Sequence, residues 1–318
     1  MSDVLFCTDV FAEEHRDRLA SIAPDLELVE LVADEPVSPE DIERITIAFF
    51  SHDAWPERAE RWFGVATRAG ALEWFHTMSA GVDSPVFTSF VERGVVLTNS
   101  SGASAPPIAR TVMMYLLALS RDLPAMVRAQ DRGDWEWRRW IELEGRSIAI
   151  VGWGPIGVEC ARLADAFGME PTIVRRAARG GEPHPVRPLD DLVSIAADHD
   201  VVVVALPLTD ETEGIVSAEV IDAIGADGLL VNVGRGELVD QAALASALVD
   251  GRLGGAGVDV TTPEPLPSDD PLWSAPNVII TPHNSGSTDG TGRRSNEMFL
   301  ANLERRVAGD DLVDVVRP

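Results

Sequence analysis

The chain of 318 residues contains no lysine: its 26 basic residues are all arginine, set against 52 acidic ones for a formal net charge of −26. A surface of that sign repels nucleic acid and anionic lipid, so neither is expected as a partner. The missing lysine reads either as codon bias or as adaptation to high salt, and the residues do not separate the two. Cysteine is nearly absent as well. Cys7 falls in a strand-like run and Cys160 in a helix-like one, which reads as two buried, reduced thiols rather than a disulfide and points to the cytoplasm. No apolar run approaches the ~20 residues that span a bilayer. The longest, residues 112–119, suits a buried helix. Residues 1–10 show no basic segment leading into an apolar one, so no secretory signal is read. Repeats, low-complexity tracts and heptads are missing, and no metal site is expected.

What is present is an alternation of short β-rich runs with helical stretches, in a chain long enough for two cores. Residues 4–7, 26–32, 45–50 and 72–77 read as strands, with helices over 13–22 and beginning at 39–42. This is a parallel sheet of βαβ units without a glycine fingerprint. A second series begins after the run at 95–97, with one long helix expected over 107–129. Strands follow at 147–150, 172–174, 201–205, 229–233, 256–260 and 278–280. Polar, glycine-bearing stretches at 99–104 and 284–292 look like two crossings of a hinge, and a last helix over 295–307 would return to the first domain. The expected division is residues 1–99 completed by 288–318, and 100–287 between them.

Within the second series, VGWGPIG at 151–157 sits between a strand and a helix. Gly152 permits the turn, Gly154 lets backbone approach a pyrophosphate, and Gly157 lets a helix read over 158–167 pack on the strand. Pro155 and Ile156 of the same turn are further cofactor-binding candidates. The helix start then offers N–H groups and partial positive charge to an anion. Three polar residues follow three later strands: Arg235 after LLVNVG, Glu264 after GAGVDVTTP and His283 after NVIITP. Singly, Arg235 is a turn residue, Glu264 a solvated loop charge and His283 a structural histidine. Together they fall at the carboxyl ends of parallel strands, the edge where ligands bind. Arg can clamp a carboxylate and polarise a ketone, and His can deliver a proton to the alkoxide that forms.

These motifs, with SAGVD at 79–83, LPLTDETEGIV at 206–216, VNVGRGELVD at 231–240 and GGAGVDVTTPEPLP at 254–267, resemble the D-isomer-specific 2-hydroxyacid dehydrogenase family over essentially the whole chain. The resemblance implies an α/β fold of two doubly wound parallel-sheet domains, a flavodoxin-like substrate domain and a Rossmann cofactor domain, joined by a two-crossing hinge. It implies NAD(P)H-dependent reduction of a small 2-oxo acid to the D-2-hydroxy acid, with Arg235, Glu264 and His283 catalytic. Ser79, Ala80 and Gly81 would hold the substrate carboxylate by backbone amides, and Phe50-Ser51-His52, ending the third strand, would shape the side-chain pocket. Asp259 would lie near the nicotinamide carboxamide, and Pro207, Thr212, Val233 and Gly286 would line the cofactor. Glyoxylate, hydroxypyruvate and branched or aromatic oxo acids are the candidate substrates, and a homodimer is the expected assembly.

The chain departs from the pattern at the end of the strand after the fingerprint. An NAD site places Asp or Glu there for the ribose hydroxyls, whereas this chain has Arg175 and Arg176. An acid would repel a 2′-phosphate and Arg attracts one, so NADP(H) is expected over NAD(H). Gly234 stands in place of a commoner Ala, which should only loosen its turn. Trp135, Trp137 and Trp140 read as interface packing. Two other readings remain: a cofactor-gated regulatory binding protein of the same fold, and phosphite-type oxidation.

Overall fold

The computed structural model describes residues 3–33, 35–82 and 84–316, and the chain divides into two compact units, Met1–Ser104 with Thr288–Pro318, and Ala105–Ser287. Unit 1 alternates β1 (Val4–Thr8), α1 (Asp9–Ile22), β2 (Glu27–Leu31), α2 (Pro39–Arg44), β3 (Ile47–Phe50), α3 (Ala59–Ala66), β4 (Trp74–Thr77), α4 (Pro85–Glu92) and β5 (Val96–Asn99). Its sheet is parallel, in the order β2-β1-β3-β4-β5. Side chains alternate across a strand, and the two phenylalanines that end β3 show the consequence. Phe50 joins Phe6, Phe75, Trp62 of α3 and Phe90 of α4 on one face. Phe49 turns to the other, with Phe11 of α1.

Unit 2 begins with α5 (Ala105–Ser120) and α6 (Leu123–Arg132). It continues through β6 (Ser147–Val151), α7 (Pro155–Ala166), β7 (Glu170–Arg175), β8 (Val186–Pro188), α8 (Leu192–Ala197) and β9 (Val201–Val204). α9 (Ala218–Ile224), β10 (Leu229–Asn232), α10 (Gln241–Val249), β11 (Gly255–Val258) and β12 (Val278–Ile280) complete it. The sheet is parallel throughout, ordered β12-β11-β10-β9-β6-β7-β8. A parallel sheet covered on both faces needs apolar residues at successive positions, and β9 is four valines. Val202 and Val204 pack with Ile195 of α8, Ile221 of α9 and Leu248 of α10. Val201 and Val203 pack with Leu116 of α5 and Ala161 of α7. The last helix, α11 (Asp289–Ala308), belongs to unit 1, where Phe299 stacks on Phe49 with ring centroids 4.3 Å apart.

The single helix expected over 107–129 is two. Asp122 adopts a left-handed backbone (φ 50°) and Pro124 lies in the first turn of α6, where its missing N–H is harmless. β8 is an addition that the sequence reading lacked; its Val-Arg-Pro offers too short an apolar run to register. The apolar excess of α5 is satisfied mostly inside unit 2, where Ile108, Val112, Tyr115, Leu116 and Leu119 are buried, leaving Met114 and Leu117 exposed. Cys7 and Cys160 are buried free thiols, and burial raises both above the ordinary thiol range, Cys160 to about 12.

Among the described residues of unit 1, His76 is the buried ionisable ring. His76 of β4 lies between the hydroxyls of Thr98 (2.7 Å) and Ser100 (3.1 Å), and burial pulls its pKa down to about 3. The unfolded ring takes its proton near the ordinary 6.5. Stability is therefore whole above that pH and declines as pH falls toward 3. Between about pH 7 and about pH 4.5 the protein is expected to lose roughly 2–3 kcal/mol more than its His76→Gln variant. Urea midpoints of both proteins at the two pH values check this; parallel losses would refute it.

Candidate active site in unit 2

The fingerprint turn lies where the sheet order reverses, β6 having β7 on one side and β9 on the other. Gly152 holds φ +113°, and a Cβ there would fall 2.5 Å from the Ala205 carbonyl oxygen at the end of β9. A Cβ on Gly157 would fall 2.1 Å from the Gly152 oxygen, so this glycine seats α7 against the turn. Gly154 differs: a Cβ on it would meet nothing within 4 Å. Its backbone faces open space at the start of a 12-residue helix whose first turn no side chain caps, with Pro155 first and Ile156 after it. Uncapped N–H groups beside backbone that a ligand can approach fit the phosphates of a dinucleotide.

The flanking loops supply the remaining expected positions. After β9, the buried Thr212 hydroxyl donates to the Pro207 carbonyl and accepts from the Thr209 N–H, each at 2.8 Å. Thr212 thus shapes this loop from inside, while Pro207 is exposed. Val233 is buried beneath. Arg175 ends β7 and pairs with Glu182 at 3.3 Å; Arg176 pairs with Glu211 across to the β9 loop, both side chains exposed.

Arg235, Glu264 and His283 follow β10, β11 and β12, three adjacent strands. Nδ1 of His283 and Oε2 of Glu264 are 2.9 Å apart, and Glu264 Oε1 accepts from the Thr261 N–H at 3.1 Å. The carboxylate is thereby anchored by one oxygen and orients the imidazole with the other, leaving Nε2 as the nitrogen available to a ligand. The half-buried Arg235 projects from a turn braced by Asn232, whose amide nitrogen donates to the Arg235 carbonyl (2.8 Å) and whose oxygen accepts from Gly234 (3.1 Å). Asn232 is 1% exposed. It escaped the sequence reading because asparagine at a strand end is ordinary turn chemistry. The expectation for Gly234 is corrected. A Cβ there would lie 2.7 Å from Leu238 Cδ1 and 2.9 Å from the Leu206 oxygen. The glycine tightens the packing of two loops rather than loosening one.

Asp259 is 2% exposed, and its carboxylate is surrounded by donors from the loop that carries the histidine. The Thr281 and Ser285 hydroxyls donate to it, as do the amides of Asn284 at 3.1 Å and Ser285 at 3.2 Å. His283 itself has a left-handed backbone (φ 49°), its N–H donating to the Asp259 carbonyl at 2.7 Å. Such a conformation persists in a non-glycine residue only where the surroundings over-determine it, and the Asp259 network does that. Gly286 follows Ser285 in the same loop.

In unit 1 the expectation for Phe50 is overturned. The ring is 2% exposed and packs on Trp62 and Phe63, because β3 is core on both of its faces. Of the same expected stretch, His52 is partly exposed, with the Met78 sulfur at 3.1 Å, while Ser51 is buried. Of the 79–81 loop, the Ser79 carbonyl accepts from the Ser100 N–H and the Ala80 carbonyl from the Asn99 amide. The N–H groups of Ala80 and Gly81 donate to no acceptor among the described residues.

A switch-point phosphate cradle, with an arginine and a carboxylate-oriented histidine on neighbouring strand ends, defines a nicotinamide-dinucleotide oxidoreductase. Comparison with known proteins agrees. Residues 113–285 match the model of the D-isomer specific 2-hydroxyacid dehydrogenase NAD-binding domain. A glyoxylate/hydroxypyruvate reductase of Arabidopsis thaliana is 33% identical over 243 residues, 75% of this chain and 74% of that one. A D-isomer specific 2-hydroxyacid dehydrogenase family protein from Aeromonas salmonicida superposes with TM-score 0.80 at 32% identity, covering 99% of each chain. A D-isomer specific 2-hydroxyacid dehydrogenase from Xanthobacter autotrophicus, solved with NADPH and MES, superposes with TM-score 0.78 at 28% identity, over 100% of this chain and 98% of that one. The chain belongs to the D-isomer specific 2-hydroxyacid dehydrogenase family.

Asp259→Ala is expected to release the histidine loop while leaving the sheet intact. Hydrogen exchange at Asn284 and Ser285 should accelerate at least about tenfold, a lost ~1.4 kcal/mol of protection, with β9 amides unchanged. Unchanged exchange in the loop would mean that its order does not depend on this carboxylate.

Proposed function

We propose that the protein reduces a small 2-oxo acid to the D-2-hydroxy acid with NADPH in preference to NADH, and catalyses the reverse reaction. The observation that carries the reading is the 2.9 Å His283–Glu264 pair one strand from Arg235. When bound, the reduced nicotinamide supplies a hydride to the substrate C2. Nε2 of His283 delivers the proton to the developing alkoxide, and Glu264 holds the ring in the tautomer and direction that this needs. Arg235 clamps the substrate and draws electron density toward the carbonyl oxygen. The amides of Ala80 and Gly81 serve as carboxylate donors. Glyoxylate and hydroxypyruvate suit the class of the Arabidopsis relative, and larger oxo acids belong in the same panel.

NADPH preference rests on Arg175, Arg176 and Arg179 at the end of β7, where an NAD site would carry an acid. The NADPH-bound Xanthobacter neighbour is in keeping with it. A cytoplasmic homodimer is part of the reading. Trp135 and Trp137 are 100% and 81% exposed on an extended segment, an apolar surface suited to a partner subunit.

The test follows NADPH and NADH oxidation at fixed salt with a panel of 2-oxo acids. The expected result is a lower KM for NADPH, and a fall in kcat/KM of about a hundredfold or more for His283→Ala and for Arg235→Ala. Near-wild-type turnover in either variant removes that residue from the mechanism, and a lower KM for NADH reverses the cofactor assignment. Cofactor binding without turnover of any oxo acid would favour a regulatory or phosphite-oxidising role.

A further inference from the structure

Beyond the end of β7 the chain makes an anion-binding pocket out of its own loop and fills it with its own side chain. Oε1 of Glu182 accepts from the Arg179 N–H at 2.6 Å and from Arg175 Nη1 at 3.3 Å. The amides of Gly180 and of Glu182 itself also help to hold this carboxyl below the ordinary carboxylate range. Two consecutive glycines with positive φ, Gly180 at +82° and Gly181 at +81°, curl the backbone so that these N–H groups converge. Successive amides in that arrangement form a concavity for an anion. The Glu182 side chain is 8% exposed and Arg175 17%, so the pair is largely withdrawn from water. The amide of Arg179 is the chief reason that the Glu182 carboxyl lies below the ordinary carboxylate range. The exposed Arg179 guanidinium stands at the rim, in no ion pair among the described residues.

A carboxylate that accepts from a loop amide and an arginine uses the kind of donors that a phosphate would use. We propose that Glu182 is an internal stand-in for the 2′-phosphate of NADP(H), occupying its subsite until the cofactor displaces it. The inference rests on the NADPH reading above and extends it: affinity for the 2′-phosphate is set by a competition inside the chain. A phosphate brings more charge and a third acceptor oxygen to the same donors, which is why it prevails over a single carboxylate. Displaced, Glu182 swings to solvent and Arg175 turns from it to the phosphate. The neighbouring Arg176–Glu211 pair plays no comparable part. Its side chains are 68% and 71% exposed, and water and salt already compete for them.

Glu182→Gln keeps the size of the side chain and removes its charge. Calorimetric titration of the full-length protein with 2′,5′-ADP and with 5′-AMP, which lacks the 2′-phosphate, separates the possibilities without any turnover. The expected result is that Glu182→Gln binds 2′,5′-ADP about tenfold more tightly than wild type, with 5′-AMP affinity unchanged. Arg175→Ala should abolish that gain. If Glu182→Gln binds 2′,5′-ADP as wild type does or more weakly, Glu182 serves only to orient Arg175 and the stand-in is refuted. That failure is separable from failure of the NADPH assignment. Wild type preferring 2′,5′-ADP with no gain in the variant sinks the stand-in alone. Wild type without that preference, but with a gain in the variant, sinks the NADPH assignment and upholds the stand-in.

Discussion

The architecture of unit 2 depends on backbone meeting backbone at one edge of the sheet. Four loops leave the carboxyl ends of β6, β9, β10 and β11, and at three contacts between them a single added carbon would not fit. Gly152 lies against Ala205, Gly234 against Leu206, and Gly236 against Thr261, where a Cβ would fall 2.2 Å from the carbonyl oxygen. Each contact joins the loop of one strand to that of its neighbour. Side chains at these points would push the loops apart by about 1 Å, a misplacement of the size that costs a site its productive geometry. Gly257 repeats the device beneath the site, where a Cβ would strike the Tyr115 ring of α5.

On this close-packed edge the polar network has a consistent division of labour. The groups best suited to touching a ligand, His283 and Glu264, are about half exposed. The groups that hold the loops, Asp259 beneath His283 and Asn232 beneath Arg235, are almost wholly buried and hydrogen-bonded inside the chain. A buried carboxylate without partners would be costly by several kcal/mol. Asp259 avoids that cost by collecting four donor groups from three residues of one loop, Thr281, Asn284 and Ser285, and the same bonds fix the left-handed backbone of His283. Holding the site and folding the loop are one act.

Much of this was legible in the residues, because strand-end position is a property of order along the chain. Once apolar runs mark the strands of a parallel sheet, everything just after a run shares an edge; Arg235, Glu264 and His283 could be gathered that way without coordinates. Long-range closeness was not legible. Nothing in the spelling of VGRG reports that Gly234 will meet Leu206, since the two are brought together only by the pairing of β9 with β10. Phe50 failed for a finer reason: helices cover both faces of the unit 1 sheet, so every residue of β3, Phe49 on one face and Phe50 on the other, is core. The break after α5 was masked by the apolar text on either side of it, although Asp122 and Pro124 carried the signal.

The net charge of −26 gives the arginines of unit 2 their meaning. In a neutral protein, an exposed arginine near a phosphate-binding edge is a weak observation. Here the surrounding field opposes a polyanionic ligand, so attraction must be supplied locally, by helix N–H groups and by guanidinium groups placed within a Debye length of the phosphates. The same field explains why Arg175 and Arg176 do not stand alone. With twice as many acidic as basic residues, an arginine left beside a loop acquires a carboxylate, as Arg175 acquires Glu182 and Arg176 acquires Glu211. Of these two carboxylates the more enclosed one, Glu182, is the less open to screening by salt, whereas the exposed Glu211 is screened as readily as the diffuse field.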